Sequence, residues 1–413
     1  MGYAAMSHGE EKSVSVRDEA GKIADEITEL RRAIHREPEI GLDLPKTQQK
    51  VLGALDGLPL EISTGTELTS VTAVLRGGKP GPAVLLRGDM DALPVTEATG
   101  LPFASRHDGV MHACGHDLHV AMLAGAAKLL SARQAELPGS VVFMFQPGEE
   151  GYAGARQMIG EGVLDAAGPR VVGAYGLHVS STKLPFGVFS TRPGPMLAAA
   201  DQIFVTVHGR GGHASQPHRA ADPIPVACEI VIALQTMVTR KFDVFDPVVI
   251  TVGSFHAGTR RNIIPDEAVF EATVRTFSRA ARDRIEAASV RLCEAIAAGH
   301  GLEADVRYNT EYPVTVNDAG QAAFAAGVVA DVFGEARFTA MADPDAGAED
   351  FSRVLDEVPG CYLFLGACPD EDYRAADDNH SPRAAFDDAV MADGCLLHAN
   401  LAIRALADLA LPH

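Results

Sequence analysis

Short apolar runs rich in β-branched residues alternate with stretches of helical periodicity through the first 200 residues of the chain. The apolar runs include TAVLRG, PAVLLRGDMD, SVVFMFQPGEE and VVGAYGLHV, and the helical stretches include LHVAMLAGAAKLLSARQ and AGARQMIGEGVL. Strands that alternate with helices predict a largely parallel sheet with helices on both faces. This alternation constrains the fold most, and it places the chain in the α/β class.

A different pattern follows the Gly- and Pro-containing segment RPGPMLAAADQ. Between residues 198 and 312 the predicted order is strand, helix, strand, strand, helix, strand, which is typical of a ferredoxin-like α+β domain. A chain of 413 residues also exceeds what one hydrophobic core usually supports. We therefore expect one discontinuous α/β domain, formed by residues 1–197 and 313–413, with residues 198–312 inserted into it as a second domain.

Three of the predicted strands end in side chains that can bind metal ions. Asp89 and Asp91 follow the second run, Glu149 and Glu150 follow the third, and His178 closes the fourth. Sites in open α/β sheets form beyond the carboxyl ends of the strands, so we expect these side chains to converge on one crevice.

The acidic pair Glu149–Glu150 directly follows a strongly apolar strand and Pro147. Adjacent side chains on extended backbone diverge, so one carboxylate can hold a cation while its neighbour faces a water molecule on that cation. A solvated acidic turn is the alternative. The position of the pair, where a strand leaves the core, favours the metal site.

The segment MHACGHDLH, residues 111–119, contains three of the 15 histidines and one of the 6 cysteines. Cys114 and His116 are two residues apart, so they point to the same side of an extended segment but to different sides of a helix. A metal ion could take both as ligands from a loop that precedes a helix beginning near Leu118. Two alternatives stay open: a polar loop, or a Cys114 nucleophile with His116 or His112 as its base.

Two more histidines lie in polar or turn-like surroundings. His380 belongs to DDNHSPRAAF, and His213 belongs to HGRGGHASQPH, where two glycines let the backbone approach a ligand closely. An exposed or turn histidine without a ligand is the alternative at both positions.

The chain has a formal charge of −20 and a pI near 5.1, without a basic run, so nucleic acid is not expected as a partner. We find no apolar stretch of the roughly 18 residues that a membrane helix needs, and the N-terminus shows no signal-peptide pattern. We therefore expect no membrane partner and a cytoplasmic location.

The segments above resemble the signature blocks of the peptidase M20 family. The similarity is greatest to its amidohydrolase branch, subfamily D, which includes hippurate hydrolases, N-acyl-amino-acid amidohydrolases and IAA-amino acid hydrolases. The blocks occur in order between residues 28 and 390 and include LLRGDMDALPVTE, MHACGHDLHVAMLAGAAKLL, FMFQPGEEGYAGARQMI, GRGGHASQPHRAADPI, NIIPDEA, AGAEDFSRVL and NHSPRAAF. The resemblance implies a two-metal, aminopeptidase-like catalytic domain interrupted by a smaller domain that serves as lid and as the interface of a homodimer or homotetramer.

The resemblance also implies a role for each candidate residue. Five residues would bind the two metal ions, with the thiolate bridging both: Cys114, His116, Glu150, His178 and His380. Glu149 would be the general base, and Asp91 would orient ligands without holding metal. His213 would reach a substrate carbonyl in the partner subunit's site, and Asn262 would lie near the substrate carboxylate.

The implied activity is metal-dependent hydrolysis of the amide bond of an N-acyl amino acid to a carboxylic acid and a free amino acid. Glu149 would take a proton from a water activated by the ions and pass it to the leaving amine. The ligands suit Mn²⁺ or Zn²⁺, and also Co²⁺ or Ni²⁺. The alternatives are a carboxypeptidase or dipeptidase of the same family acting on short peptides, a non-catalytic binding protein, and a hydrolase with Cys114 as nucleophile.

Overall fold

The computed structural model describes residues 16–409, so the remaining termini of the predicted α/β domain lie outside the described residues. The described residues form ten α-helices: α1 (Val16–Lys22), α2 (Ala24–His35), α3 (Pro45–Leu55), α4 (His116–Ser131), α5 (Gly154–Gly160), α6 (Pro223–Lys241), α7 (Arg279–Gly299), α8 (Ala319–Phe333), α9 (Ser352–Leu355) and α10 (Met391–Leu409).

The same residues form sixteen strands: β1 (Leu60–Thr64), β2 (Val71–Arg76), β3 (Lys79–Asp89), β4 (Pro138–Gln146), β5 (Gly173–Ser180), β6 (Phe189–Thr191), β7 (Gly194–Leu197), β8 (Ala199–His208), β9 (Gly212–His213), β10 (Val248–Ala257), β11 (Ile263–Ile264), β12 (Glu267–Thr276), β13 (Glu303–Tyr312), β14 (Thr315–Asn317), β15 (Phe338–Ala340) and β16 (Gly360–Gly366).

The large sheet has eight strands in the order β1-β2-β4-β3-β5-β16-β6-β15. Its four central strands, β4, β3, β5 and β16, are parallel neighbours, which confirms the predicted α/β class. The prediction of a largely parallel sheet is wrong toward the edges, where β1 pairs with β2, and β2 with β4, in antiparallel fashion. Residues 65–70 join β1 to β2, and this loop is too short for the crossover that a parallel pair requires.

Both faces of the central strands are buried. Along β4, Val141, Phe143 and Phe145 face the core that also contains α4 and α10, whereas Val142 and Met144 face the core that contains α5 and α9. Burial on both faces explains why these strands are continuous apolar runs instead of alternating patterns. Helices on the two faces leave the carboxyl ends of the strands open for a site.

Within residues 16–409, two helices are long and apolar enough to cross a membrane by length and composition, with mean hydropathy 1.2: Pro223–Lys241 and Asp388–Leu409. The expectation that no stretch reaches this length is therefore wrong. About two thirds of the apolar stretch in Asp388–Leu409 is buried inside the protein, as in a core helix. In Pro223–Lys241 the buried share is about one third. The hydropathy of Asp388–Leu409 is high because small and aliphatic side chains of α10 pack against α4.

The residues between Ala199 and Tyr312 form a separate four-stranded antiparallel sheet in the order β10-β12-β8-β13. Together with α6 and α7 it has the βαββαβ succession of a ferredoxin-like fold and its own apolar core. Ala200 pairs with Tyr312, and Leu197 with Thr315. The chain therefore enters and leaves this inserted sheet through two connections that lie side by side.

Candidate functional site

The carboxyl ends of β3, β4 and β5 lie side by side at one end of the large sheet. Five of the predicted site residues line one cavity of about 400 Å³ there: Cys114, Glu149, Glu150, His178 and His380. His116 is buried next to Cys114 and His178. The structure thus brings together all the residues that the resemblance implies as metal ligands.

The Cys114 thiol is at the centre of this group. Its Sγ lies 3.4 Å from His178 Nε2 and 3.3 Å from His380 Nε2. Two triads of potential ligands, each with donor atoms within 4.8 Å of one another, share this sulfur: Cys114 with His116 and His178, and Cys114 with Glu150 and His380. Two groups of potential ligands are therefore adjacent and have the Cys114 sulfur in common.

Helix α4 begins at His116, earlier than the predicted start near Leu118. Gly115 is its N-cap and has a φ of +83°, so the chain turns sharply between Cys114 and His116 instead of running extended. A Cβ at this glycine would lie 2.4 Å from Val179 Cγ2 on the end of β5. Only glycine satisfies both the left-handed backbone and the close approach of the strand.

We expect Gly115→Ala to destabilise the protein more than Gly109→Ala does. Gly109 has a similar φ of +79° but no atom within 4 Å of the added Cβ, so it isolates the backbone cost, about 1–2 kcal/mol. The contact with Val179 at Gly115 adds about 1–3 kcal/mol of overpacking. Urea unfolding of both variants measures the difference, and equal losses would contradict this account of the turn.

Asp91 holds the acidic pair and His116 in place. Its Oδ1 accepts the backbone N–H of Glu149, and its Oδ2 accepts that of Glu150, each at 2.9 Å. Its carbonyl oxygen lies 2.9 Å from His116 Nδ1, which donates to it. The other ring nitrogen of His116, Nε2, is buried and has no hydrogen-bond partner among the described residues.

His178 and His119 have defined tautomers because each contacts the backbone of Val179. His178 donates from Nδ1 to the Val179 carbonyl at 2.7 Å, which leaves Nε2 free to face the thiol. His119 accepts the Val179 N–H at Nε2, so its Nδ1 donates to Asp89 at 2.5 Å. Asp89 also accepts from Arg87 at 2.7 Å. Both oxygens of Asp89 are thus engaged by side chains that support the site.

The Glu149 carboxyl is buried beside other acidic groups. Burial and the carboxylates of Glu349 and Glu150 raise its pKa well above the usual range. Burial together with Glu349 likewise raises the pKa of Asp350 to about 8, against the opposing effect of Arg87. A carboxyl group with a raised pKa can both take up and release a proton near neutral pH.

Sequence reasoning gave no role to Arg87, Glu349 or Asp350. The Arg87 guanidinium is fully buried and binds Glu349 at 2.7 Å and Asp350 at 3.1 Å. The adjacent acidic residues Glu349 and Asp350 in AGAEDFSRVL, just before α9, are the sequence feature that could have pointed to this cluster. These three side chains form the charged support behind Glu149.

His380 approaches the thiol from an exposed loop. It has a φ of +73°, and its N–H donates to the Ala113 carbonyl at 2.8 Å. Hydrogen bonds with Cys114 and Glu150 raise the pKa of its imidazole to about 10. The preceding Asn379, which sequence reasoning missed, donates to the carbonyls of Val179 at 3.1 Å and Cys114 at 3.3 Å.

The structure does not bring His213 and Asn262 to this cavity. Both are exposed and lie together where β9 pairs with β11, since the Ala214 N–H donates to the Asn262 carbonyl at 3.2 Å. Neither is among the described residues that line the cavity. Within one chain, these two residues are therefore separate from the ligand triads.

The remaining cavity wall contains two cations that sequence reasoning missed, Lys183 and Arg275. Lys183 pairs with Asp345 at 2.5 Å, whereas Arg275 uses Nη1 to contact the neighbouring strand residues Thr273 and Val274. Arg275 belongs to β12 of the inserted sheet. It is far along the chain from the motifs that contain the candidate metal ligands, so no sequence pattern linked it to the site. The apolar part of the wall includes Leu197, Ala200 and Phe364.

Known proteins resemble this chain over most of its length. The profile of Peptidase family M20/M25/M40 matches residues 85–404. Thermostable carboxypeptidase 2 of Saccharolobus solfataricus is 38% identical over 393 residues, 94% of this chain and 98% of the relative. N-acetylcysteine deacetylase of Bacillus subtilis is 36% identical over 381 residues, 92% of this chain and 97% of the relative.

A solved structure extends the likeness to the fold. The crystal structure of a dinuclear metal-binding peptidase of the M20 family from Bacillus subtilis superposes with a TM-score of 0.80 and 33% sequence identity, covering 94% of this chain and 99% of that one. The large mixed sheet and the sequence motifs thus lead to the same conclusion. The chain is a hydrolase that belongs to Peptidase family M20/M25/M40.

Proposed function

We propose that this chain is a metal-dependent amidohydrolase that cleaves the amide bond of N-acyl amino acids. The observation that carries the proposal is the pair of ligand triads that share Cys114 next to the buried carboxyl group of Glu149. A cysteine surrounded by two histidines within 3.4 Å and by a carboxylate is better suited to bind metal than to attack a carbonyl. The deacetylase relative supports the amide substrate.

The donor set suits two divalent ions. The buried Nε2 of His116 has no hydrogen-bond partner among the described residues, and a bound cation would satisfy it. Sulfur, imidazole and carboxylate ligands together suit Mn²⁺, Zn²⁺, Co²⁺ or Ni²⁺. We propose that these ions are held by Cys114, His116, Glu150, His178 and His380. When bound, two such ions lower the pKa of a shared water and polarise the scissile carbonyl.

Glu149 is the proposed proton carrier. Its backbone N–H is fixed by Asp91, and the raised pKa of its carboxyl group favours uptake of the water proton. The same group then protonates the leaving amine, because an amide C–N bond breaks poorly unless its nitrogen is protonated. Proton delivery by Glu149 thus completes the release of the free amino acid.

The cavity wall offers contacts for both ends of such a substrate. The guanidinium of Arg275 is a suitable partner for the free carboxylate of the amino acid, because it presents several donors in a planar fork. Leu197 and Phe364 suit an apolar acyl group. We propose that His213 and Asn262 complete the site from a second subunit, since both lie outside the cavity of their own chain.

The inserted sheet is the proposed interface of a homodimer or homotetramer. Strand β10 forms one edge of that sheet, and its Val249 and Phe255 are exposed, as are Val244 and Phe245 just before it. Exposed apolar side chains along an unpaired edge favour association with another chain. We also propose a cytoplasmic location, without a membrane or nucleic-acid partner, from the acidic composition.

A hydrolysis panel tests the proposed function against its nearest alternative, a carboxypeptidase or dipeptidase, which the archaeal relative favours. We expect the protein loaded with Mn²⁺ or Zn²⁺ to hydrolyse N-acetyl, N-benzoyl or long-acyl amino acids faster than free dipeptides, measured as released amino acid. Faster cleavage of dipeptides would support the alternative. Full activity after chelation of all metal would exclude both.

A further inference from the structure

The last strand of the inserted sheet contains an irregularity next to the catalytic cavity. The pairing of β13 with β8 shifts between Thr310 and Tyr312, so Glu311 has no partner residue in the ladder. Its N–H donates to Asp201 of the inserted sheet at 3.1 Å, and its carbonyl accepts from Arg353 at 2.6 Å. Such bulges redirect the following side chain. This one is fixed from both sides.

The side chain that follows the bulge is Tyr312, which leaves the inserted sheet and reaches the turn after β4. Its hydroxyl donates to the carbonyl oxygen of Glu149 and accepts the N–H of Gly151 at 2.6 Å. Tyr312 is buried and also lines the cavity. One hydroxyl therefore binds the backbone of the turn that presents both Glu149 and Glu150.

The turn is thus held from two sides. From the large sheet, Asp91 accepts the N–H groups of Glu149 and Glu150. From the inserted sheet, Tyr312 binds the carbonyl of Glu149 and the amide of Gly151. Tyr312 also pairs with Ala200, where the chain first enters the inserted sheet, so it belongs to the connection about which the two sheets would move.

We propose that Tyr312 is a positioning residue that couples the orientation of the inserted domain to the placement of the Glu149–Glu150 turn. A displacement of the inserted domain moves the exit strand and its bulge, and the hydroxyl transmits this movement to the backbone of the acidic pair. The kinetic part of this inference rests on the proposed function, whereas the structural coupling does not.

The test compares Tyr312→Phe with Tyr175→Phe in the metal-loaded protein. Tyr175 is also buried, and its hydroxyl donates to Gln321 on α8 at 2.6 Å, so its substitution removes one tyrosine hydroxyl without altering the residues that fix the bulge or the turn. Hydrogen–deuterium exchange of residues 147–152 reports on the turn without any need for activity. Steady-state hydrolysis and metal content per chain complete the comparison.

We expect Tyr312→Phe to raise exchange in this turn several-fold and to lower kcat about tenfold, the effect of losing one well-placed hydrogen bond. KM and metal content should stay close to those of the unaltered protein, and Tyr175→Phe should change none of these quantities. Exchange in Tyr312→Phe equal to that in Tyr175→Phe would overturn the coupling. A higher KM with unchanged kcat would also overturn it, because that pattern indicates substrate contact.

A second variant keeps the proposal testable if Tyr312→Phe fails to fold. Arg353→Met retains the aliphatic stem but removes the donor to Glu311, so it loosens the bulge without altering the tyrosine. It should raise exchange in the same turn, to a smaller extent, and unchanged exchange would overturn the coupling. If the unaltered protein hydrolyses no N-acyl amino acid or dipeptide, the proposed function fails, but the exchange comparison still decides the coupling.

Discussion

Glu149→Gln is expected to lower kcat by about 10²- to 10⁴-fold, the usual contribution of a general acid–base group. Glutamine keeps the size of the side chain and the backbone N–H that Asp91 accepts at 2.9 Å, so the turn should keep its position. The amide cannot take up the water proton or deliver it to the leaving amine. KM should change little, because the role proposed for Glu149 is proton transfer and not substrate binding.

Metal content separates this role from that of the neighbouring carboxylate. The Glu149→Gln variant is expected to retain two metal ions per chain. Elemental analysis after dialysis measures this content. Glu150→Gln should instead lose metal, because Glu150 belongs to the triad of Cys114 and His380, with Oε1 3.2 Å from His380 Nε2. Retained turnover in Glu149→Gln, or equal metal loss in the two variants, would contradict the proposed division of labour.

The convergence of strand ends was predictable because it depends on local pattern. A buried parallel strand must be apolar along its whole length, so the first polar residues after it mark the edge of the sheet. Asp91, Glu149 and His178 can be placed in this way from the sequence. The strand–helix order between residues 198 and 312 likewise indicated a second sheet.

The local apolar pattern does not predict the start of α4 or the buried ion pairs of Arg87 with Glu349 and Asp350. The left-handed Gly115 is selected by Val179, which is distant in sequence, so periodicity alone put the helix start two residues too late. One partner of Arg87 is Glu349, 262 residues farther along the chain. A buried ion pair of such separation leaves no spacing signal. The same holds for Arg275, which reaches the cavity only because the inserted sheet lies next to it.

His213→Ala is expected to lower kcat by about 10²- to 10³-fold if the imidazole stabilises the developing oxyanion. This expectation conflicts with the position of His213 in its own chain, where it is exposed, accepts from Ser215 at 2.9 Å and lies outside the cavity. The proposed second subunit would resolve the conflict, since a two-fold interface places the same surface of each chain against the other. The effect of the substitution should therefore arise in the partner's site.

Complementation between two inactive variants distinguishes the two arrangements. His213→Ala and Glu149→Gln are co-expressed with different affinity tags, and the species that carries both tags is isolated. If His213 acts across the interface, one site of each mixed dimer combines an intact Glu149 with an intact His213, and about half of the unaltered activity returns. If His213 acts within its own chain, each site retains one defect, and the mixed dimer stays as inactive as its parents. That result would require the inserted domain to swing His213 into the cavity of its own chain.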